Sequence, residues 1–169
     1  HVLSRRQRQM CIRDSPDIDG MVIVTTPQQV ALLDSRKSIT FSESLKVPVL
    51  GVVENMSGFT VNGNAAPGTQ VSIAGPGGKT LSATADDQGD FSVTLDIFKE
   101  GGGKDTAEEF GVPFLGALPF DPGFVRGGDD GVHRIVSEPD GPSALAFAKV
   151  VAAIQDQLSD GADSGLEII

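Results

Sequence analysis

The chain of 169 residues has no tryptophan, no tyrosine, one cysteine and two histidines. Each scarcity excludes something. Without Trp or Tyr there is no ready aromatic platform for stacking nucleic-acid bases. A single thiol, Cys11, cannot close an intramolecular disulfide or build a multi-cysteine metal site within one chain. His133 is the only histidine outside the first residue, and it has no second His or Cys near it in sequence. That makes it a loop histidine rather than a metal ligand. No apolar run approaches the roughly 18 residues of a membrane-spanning helix. No Gly-x-Ser-x-Gly elbow occurs, and Cys11 with His133 makes no plausible nucleophile–base dyad. Basic charge is also scarce. Of 13 basic and 23 acidic residues, four arginines and one aspartate fall within residues 1–15, leaving 9 basic against 22 acidic in the rest. Such a body repels nucleic acid and anionic membrane surfaces.

What is present begins with a head, HVLSRRQRQMCIRDS, that lacks apolar periodicity and resembles translated sequencing-adapter sequence. Residues 1–15 are therefore set apart as a non-native-looking or disordered head. The chain is organised around Gly20–Phe59. Met21–Thr25 is a short β-branched run of the kind found in doubly covered parallel strands. Thr26-Pro27-Gln28-Gln29 suggests a capping box with proline at the first helical position. Val30, Leu33, Ser38, Phe41 and Leu45 would then form the apolar face of a helix. Val49–Val53 is a second buried-type strand, completing a right-handed βαβ unit.

The texture changes over Thr60–Asp96, which is rich in Gly, Thr, Ser and Val. Alternation in Thr69–Ala74, Thr80–Ala85 and Asp90–Leu95, with turn residues between, predicts strands joined as hairpins. The pattern is similar to part of a bacterial Ig-like repeat, and the segment is expected to be an inserted β-rich lobe. After Ile97 the α/β texture resumes. A short helix is expected to start near Asp105 and end at Gly111, followed by a strand over Val112–Leu118 and a loop over Pro119–Asp130. A last helix opens at Gly141-Pro142-Ser143 with Phe147, Val150, Val151, Ile154 and Leu158 as its core stripe. The expected organisation is an α/β body of residues 16–59 and 97–158, a lobe of 60–96 and a flexible tail of 159–169.

Two Gly-Lys pairs invite comparison with a phosphate-binding loop, but that loop needs glycine five positions earlier. Counting back from Gly78 gives Ile73, and from Gly103 gives Phe98. Asp129 and Asp130 are adjacent acids in a Gly-rich loop and are expected to be solvated. The residues alone show no catalytic constellation.

The phrases DGMVIVTTPQQVALLDSRKSI, VPVLGVVENMSGF, IFKEGGGKDTAEEFGVPFLGALPFDP and SEPDGPSALAFAKV nevertheless resemble the C-terminal half of Mrp/ApbC-type iron–sulfur cluster carrier ATPases, of the MinD/ParA-like branch of P-loop NTPases. The resemblance implies a partial doubly wound, mostly parallel sheet, with ATP and a [4Fe–4S] cluster as the family's cofactors. It also implies a cytoplasmic homodimer that serves iron–sulfur apoproteins; the acidic body argues against a nucleic-acid or membrane partner. Asn55 takes the place of the family's adenine-contacting asparagine, the alternative being a strand-end asparagine that caps the following turn. Pro119 and Asp121 match the loop that closes over the base, mainly through backbone. No catalytic residue and no metal ligand carries over. The Walker A loop is absent, and Thr60–Asp96 stands where the family has its Cys-Pro-x-Cys pair. The expectation is a fragment of an ATP-binding cluster carrier, inactive in hydrolysis and cluster binding as written. The alternative is a non-enzymatic interaction module built on the lobe.

Overall fold

The computed structural model describes residues 18–98 and 101–163. The head and Cys11 lie outside the described residues, as does the end of the tail. The body is built on three parallel strands: β1 (Met21–Thr25), β2 (Val49–Glu54) and, last in chain order, β7 (Phe114–Ala117). Their order is β1-β2-β7, with Ile23 opposite Val52 and Val52 opposite Phe114. Successive side chains of a strand point to opposite faces, and β2 shows the consequence. Val52 packs with Ile23, Ile39 and Ala107 on one side, whereas Val53 packs with Leu115, Leu118 and Val150 on the other. Helices cover both faces, which is why β2 tolerates an almost wholly apolar sequence. Helices α1 (Gln29–Leu45) and α2 (Gly102–Phe110) lie on the first face and α5 (Pro142–Asp163) on the second. This is the expected partial parallel α/β sheet. No helix among the described residues is long and apolar enough to cross a membrane.

Several local expectations differ from what forms. Helix α1 starts at Gln29, with Gln28 at the cap position and no side-chain cap bond, so the Thr26 capping box is not made. Its buried face is Leu32, Ser35, Ile39 and Ser42, while Val30 is 75% and Leu33 53% exposed. The shift is possible because the two serines donate to the carbonyls four residues back, Ala31 O and Ser38 O, at 2.9 and 3.0 Å. Small, internally satisfied hydroxyls then let the helix approach the sheet closely. Helix α2 starts at Gly102 rather than Asp105 and ends, as expected, on left-handed Gly111. Pro119–Asp130 is not a loop throughout: α3 spans Pro122–Asp130, capped by Asp121 and followed by α4 (Arg134–Ser137). The last helix runs on to Asp163, past the expected start of the tail, and its Val151 and Leu158 are exposed.

The lobe contains four strands, β3 (Phe59–Asn64), β4 (Gln70–Ala74), β5 (Thr80–Thr84) and β6 (Asp90–Leu95). Two of them, β4 and β5, form the expected hairpin around the Gly75–Gly78 turn. β6, however, pairs with β3, which sequence alternation did not single out, from Phe59 opposite Leu95 to Asn64 opposite Asp90. One hairpin is thus nested inside another. Thr60–Thr94 and Ser72–Ser82 hydroxyl pairs at 3.1 and 3.0 Å tie the ladders across their exposed faces. The outer ladder brings both roots of the lobe together at the carboxyl end of the body sheet.

Candidate functional site

Beyond the ends of β2 and β7 the chain does not diverge. Leu118 N–H donates to Glu54 O at 2.7 Å, Ser57 N–H to Leu118 O at 2.9 Å and Phe120 N–H to Gly58 O at 2.8 Å. The segments 54–58 and 118–120 therefore run side by side past the carboxyl edge of the sheet, where open α/β sheets bind ligands. The Phe59 and Phe120 rings meet edge to face, 5.7 Å between centres, and fasten the lobe root to this loop.

Asn55 is the first residue after β2. Its N–H donates to Thr25 O at 2.7 Å, and its side-chain Oδ1 accepts from Met56 N–H at 2.8 Å. The turn-capping reading of Asn55 is thus realised. It uses the acceptor alone; no hydrogen bond among the described residues occupies the Nδ2 donors. Asn55 lines a cavity of about 510 Å³ with β1 and with Thr26, Asp34 and Ser38. The next residue, Met56, is left-handed at φ 58°. That conformation costs an L-residue roughly 1–2 kcal/mol, so the surroundings must hold it.

Asp121 sits at the other side of the loop. Its carboxylate accepts from Gly123 N–H at 2.7 Å, Ser143 Oγ at 2.7 Å and Arg134 Nε at 3.3 Å. Arg134 also pairs with Glu138. Burial alone would raise the Asp121 pKa, but the hydrogen bonds from Ser143, Gly123 and Arg134, with the charge of Arg134, outweigh it and hold the group below its ordinary value. A carboxylate so engaged anchors α3, α4 and α5 to the loop. Pro119, half-buried, has no N–H to offer. Asn55 and Asp121 are joined through the paired backbone, but their side chains face different cavities, the second of about 380 Å³.

The most buried charged group at the site was not anticipated. Glu54 is 1% exposed. Its Oε1 accepts from Ser57 Oγ at 2.7 Å and Gly101 N–H at 3.2 Å, and its Oε2 accepts from Gly103 N–H at 2.7 Å. The carboxylate therefore fills the positive N-terminus of α2. Gly101 is left-handed at φ 87°, and a Cβ on Gly103 would lie 2.9 Å from Glu54 Cβ. The run Gly101-Gly102-Gly103 is what lets a buried acid approach this closely. It is not a phosphate cradle, because its anion position is taken. The sequence signal was an acid ending an apolar strand, together with a glycine run much later in the chain.

The remaining residues of interest fall elsewhere. Lys79 follows the lobe's Gly75–Gly78 turn, Lys104 faces Glu108 at 3.9 Å, and Asp129, Asp130 and His133 are exposed. The residues of Thr60–Asp96 offer hydroxyl, amide and carboxylate oxygens but no thiolate. That donor set does not fit an iron–sulfur cluster.

Comparison with known proteins places this geometry. In fold, the chain is similar to the cell division ATPase MinD of Pyrococcus furiosus (TM-score 0.50, 19% identity, 82% of this chain and 43% of that one). It is equally similar to the septum site-determining protein MinD of Pyrococcus horikoshii, solved with Mg-ADP (TM-score 0.50, 16% identity, 85% and 44%). In sequence it is 39% identical over 145 residues to the cytosolic Fe-S cluster assembly factor NBP35 of Eremothecium gossypii, covering 85% of this chain. It spans only 35% of that relative's length. Residues 7–86 and 88–155 match the family described as ParA, NUBPL iron-transfer P-loop NTPase, and the match runs through most of the lobe without setting it apart as an insertion. The chain belongs to the NUBPL iron-transfer P-loop NTPase family.

Proposed function

We propose that this chain supplies the base-contacting side of a nucleotide site in an iron–sulfur cluster assembly protein. The observation that carries the reading is Asn55: its acceptor caps the Met56 turn, no hydrogen bond among the described residues engages its two Nδ2 donors, and it lines one end of a cavity that runs along β1. An Nδ2 donor suits the one ring-nitrogen acceptor that an adenine edge presents, and the second lone pair of Oδ1 suits the amino group beside it. Pro119 and Asp121 frame the same edge of the sheet, Asp121 by fixing the loop rather than by touching the base. The chain has no Walker A motif, so phosphates and Mg²⁺ are not cradled by its own residues. Without them hydrolysis is not organised. The 169 residues by themselves then bind nucleotide weakly and do not turn it over. Homodimerisation, a cytoplasmic setting and delivery to iron–sulfur apoproteins belong to the family reading, and cluster binding would need thiolates that 60–96 lacks.

Equilibrium binding of ADP tests this. Asn55→Ala should weaken binding by about tenfold, the loss of one to two hydrogen bonds, while Mg-dependent ATP hydrolysis stays at background in both proteins. Hydrolysis above background by the unaltered chain would contradict the reading.

A second reading rests on the lobe, where Pro76, Lys79, Leu81, Asp96, Ile97 and Phe98 line a cavity of about 900 Å³. An Ig-like interaction module would bind a protein partner there. Because Phe59 and Leu95 lie opposite each other, residues 60–94 can be deleted with a short bridge. Loss of partner capture with ADP binding intact would favour this second reading.

A further inference from the structure

Glu54, Asn55, Met56 and Ser57 form one closed turn around a strained residue. Met56 is left-handed, and three bonds enclose it: Met56 N–H to Asn55 Oδ1, Ser57 N–H to Leu118 O and Ser57 Oγ to Glu54 Oε1. Only the last belongs to a side chain that is itself fixed from outside the turn, because Glu54 also holds Gly101 and Gly103. Glu54 therefore ties the segment that enters the lobe, through Ser57, to the start of α2 that follows it, through the Gly101 and Gly103 amides. Its backbone is equally constrained, lying opposite Thr25 of β1 and accepting from Leu118 N–H.

A residue in a sparsely populated conformation persists where its surroundings over-determine it, and such residues cluster at functional sites. We propose that Glu54 is the positioning residue for Asn55. By gripping Ser57 and the first turn of α2 together, its carboxylate keeps Met56 left-handed, and so keeps the Asn55 amide turned into the cavity beside β1. The proposal deepens, and rests on, the reading of Asn55 as the base contact. It assigns Glu54 no contact with ligand. It also explains why an acid rather than an amide stands there: all three surrounding groups are donors, and a carboxylate is acceptor-only. A glutamine would turn an NH₂ toward at least one of them.

The test compares Glu54→Gln with Thr106→Val in ¹⁵N-labelled whole chain. Thr106 is buried in the same turn of α2 and donates to Gly102 O at 2.9 Å, but it does not hydrogen-bond Glu54. Both variants loosen the helix start; only the first should reach Met56. At a temperature where both are folded, Glu54→Gln should speed Met56 amide exchange by about tenfold or more and shift the Asn55 side-chain amide signals. It should also weaken adenosine binding by about fivefold or more. Thr106→Val should do none of these. Equal exchange and equal affinity in the two variants would overturn the proposal. If the unaltered chain binds no adenosine, the base-contact reading fails by itself, and Met56 exchange still decides whether Glu54 holds the turn. If Glu54→Gln does not fold, Ser57→Ala removes one donor only and takes its place: faster Met56 exchange supports the proposal, and unchanged exchange overturns it.

Discussion

Met56 concentrates the residue-scale physics of this protein. A left-handed non-glycine residue is strained, and the strain is relieved by removing Cβ. Met56→Gly should therefore leave the fold unchanged and raise stability by up to about 1 kcal/mol, the relief being partly cancelled by a freer unfolded chain. Met56→Val should lower stability by about 1–2 kcal/mol, because β-branching makes the same conformation worse. Urea denaturation of the pair reads the sign directly. Gly103 reverses an ordinary expectation. Alanine in a helix is normally better than glycine by about 1 kcal/mol, but here its Cβ would meet Glu54 Cβ at 2.9 Å and Oε2 at 3.2 Å. Overpacking costs of about 1–3 kcal/mol win, so Gly103→Ala should destabilise. A higher melting temperature for that variant would show that the carboxylate is not held where it lies. Asp121 sets a pH dependence. Its pKa in the folded state is below the unfolded value of about 3.9. The stability it contributes is therefore fully present above that value and is lost as pH falls through the lower folded pKa. Asp121→Asn should flatten the stability profile at the acid end below pH about 4, measured by thermal melts across that range.

Helix ends decide much at the scale of elements. α1 closes on left-handed Lys46, whose N–H donates to Glu43 O while Val47 N–H donates to Ser42 O. α2 and α3 close on left-handed Gly111 and Gly131. Lys46→Gly should accordingly stabilise the protein by about 0.5–1 kcal/mol, seen as a rise in urea midpoint with unchanged slope. The same elements show what sequence can and cannot disclose. The strands β1, β2 and β7 were legible because apolar β-branched runs between two covering layers have few alternatives. The buried face of α1 was not, because Ser35 and Ser42 bury hydroxyls that bond backward along the helix, and polarity alone cannot reveal that. α3 was missed because PGFVRGGDD has poor helix propensity, although Asp121 before Pro122 is a cap signal that outweighs it. Pairing of β3 with β6 depends on closure across a nested hairpin, a long-range fact that local alternation does not contain. At the site, Asn55 and Asp121 could be located from their phrases. Glu54 could not, since its partners at Gly101 and Gly103 lie far along the chain and only folding brings them together.

On the scale of the whole molecule, the described sheet has one central strand and two outer ones. β1 pairs only with β2 among the described residues, and Val24 on it is 61% exposed. An edge of this kind templates further pairing. β2 amides should be the slowest of the three strands to exchange, and Val24→Lys should reduce self-association of the chain measured by light scattering, with little loss of stability. The carboxyl ends of β2 and β7, the turn around Met56 and the root of the lobe then behave as one unit, because Glu54 and the Phe59–Phe120 contact join them. The proposed nucleotide site depends on that unit being a base-binding edge. The most direct measurement is an adenosine titration of the ¹⁵N-labelled chain, followed residue by residue. A base-binding edge predicts shifts in the Asn55 side-chain amide, in Thr26 and in the Leu118 and Phe120 amides, all abolished by Asn55→Ala. Shifts confined to the lobe, or none at Asn55, would contradict it.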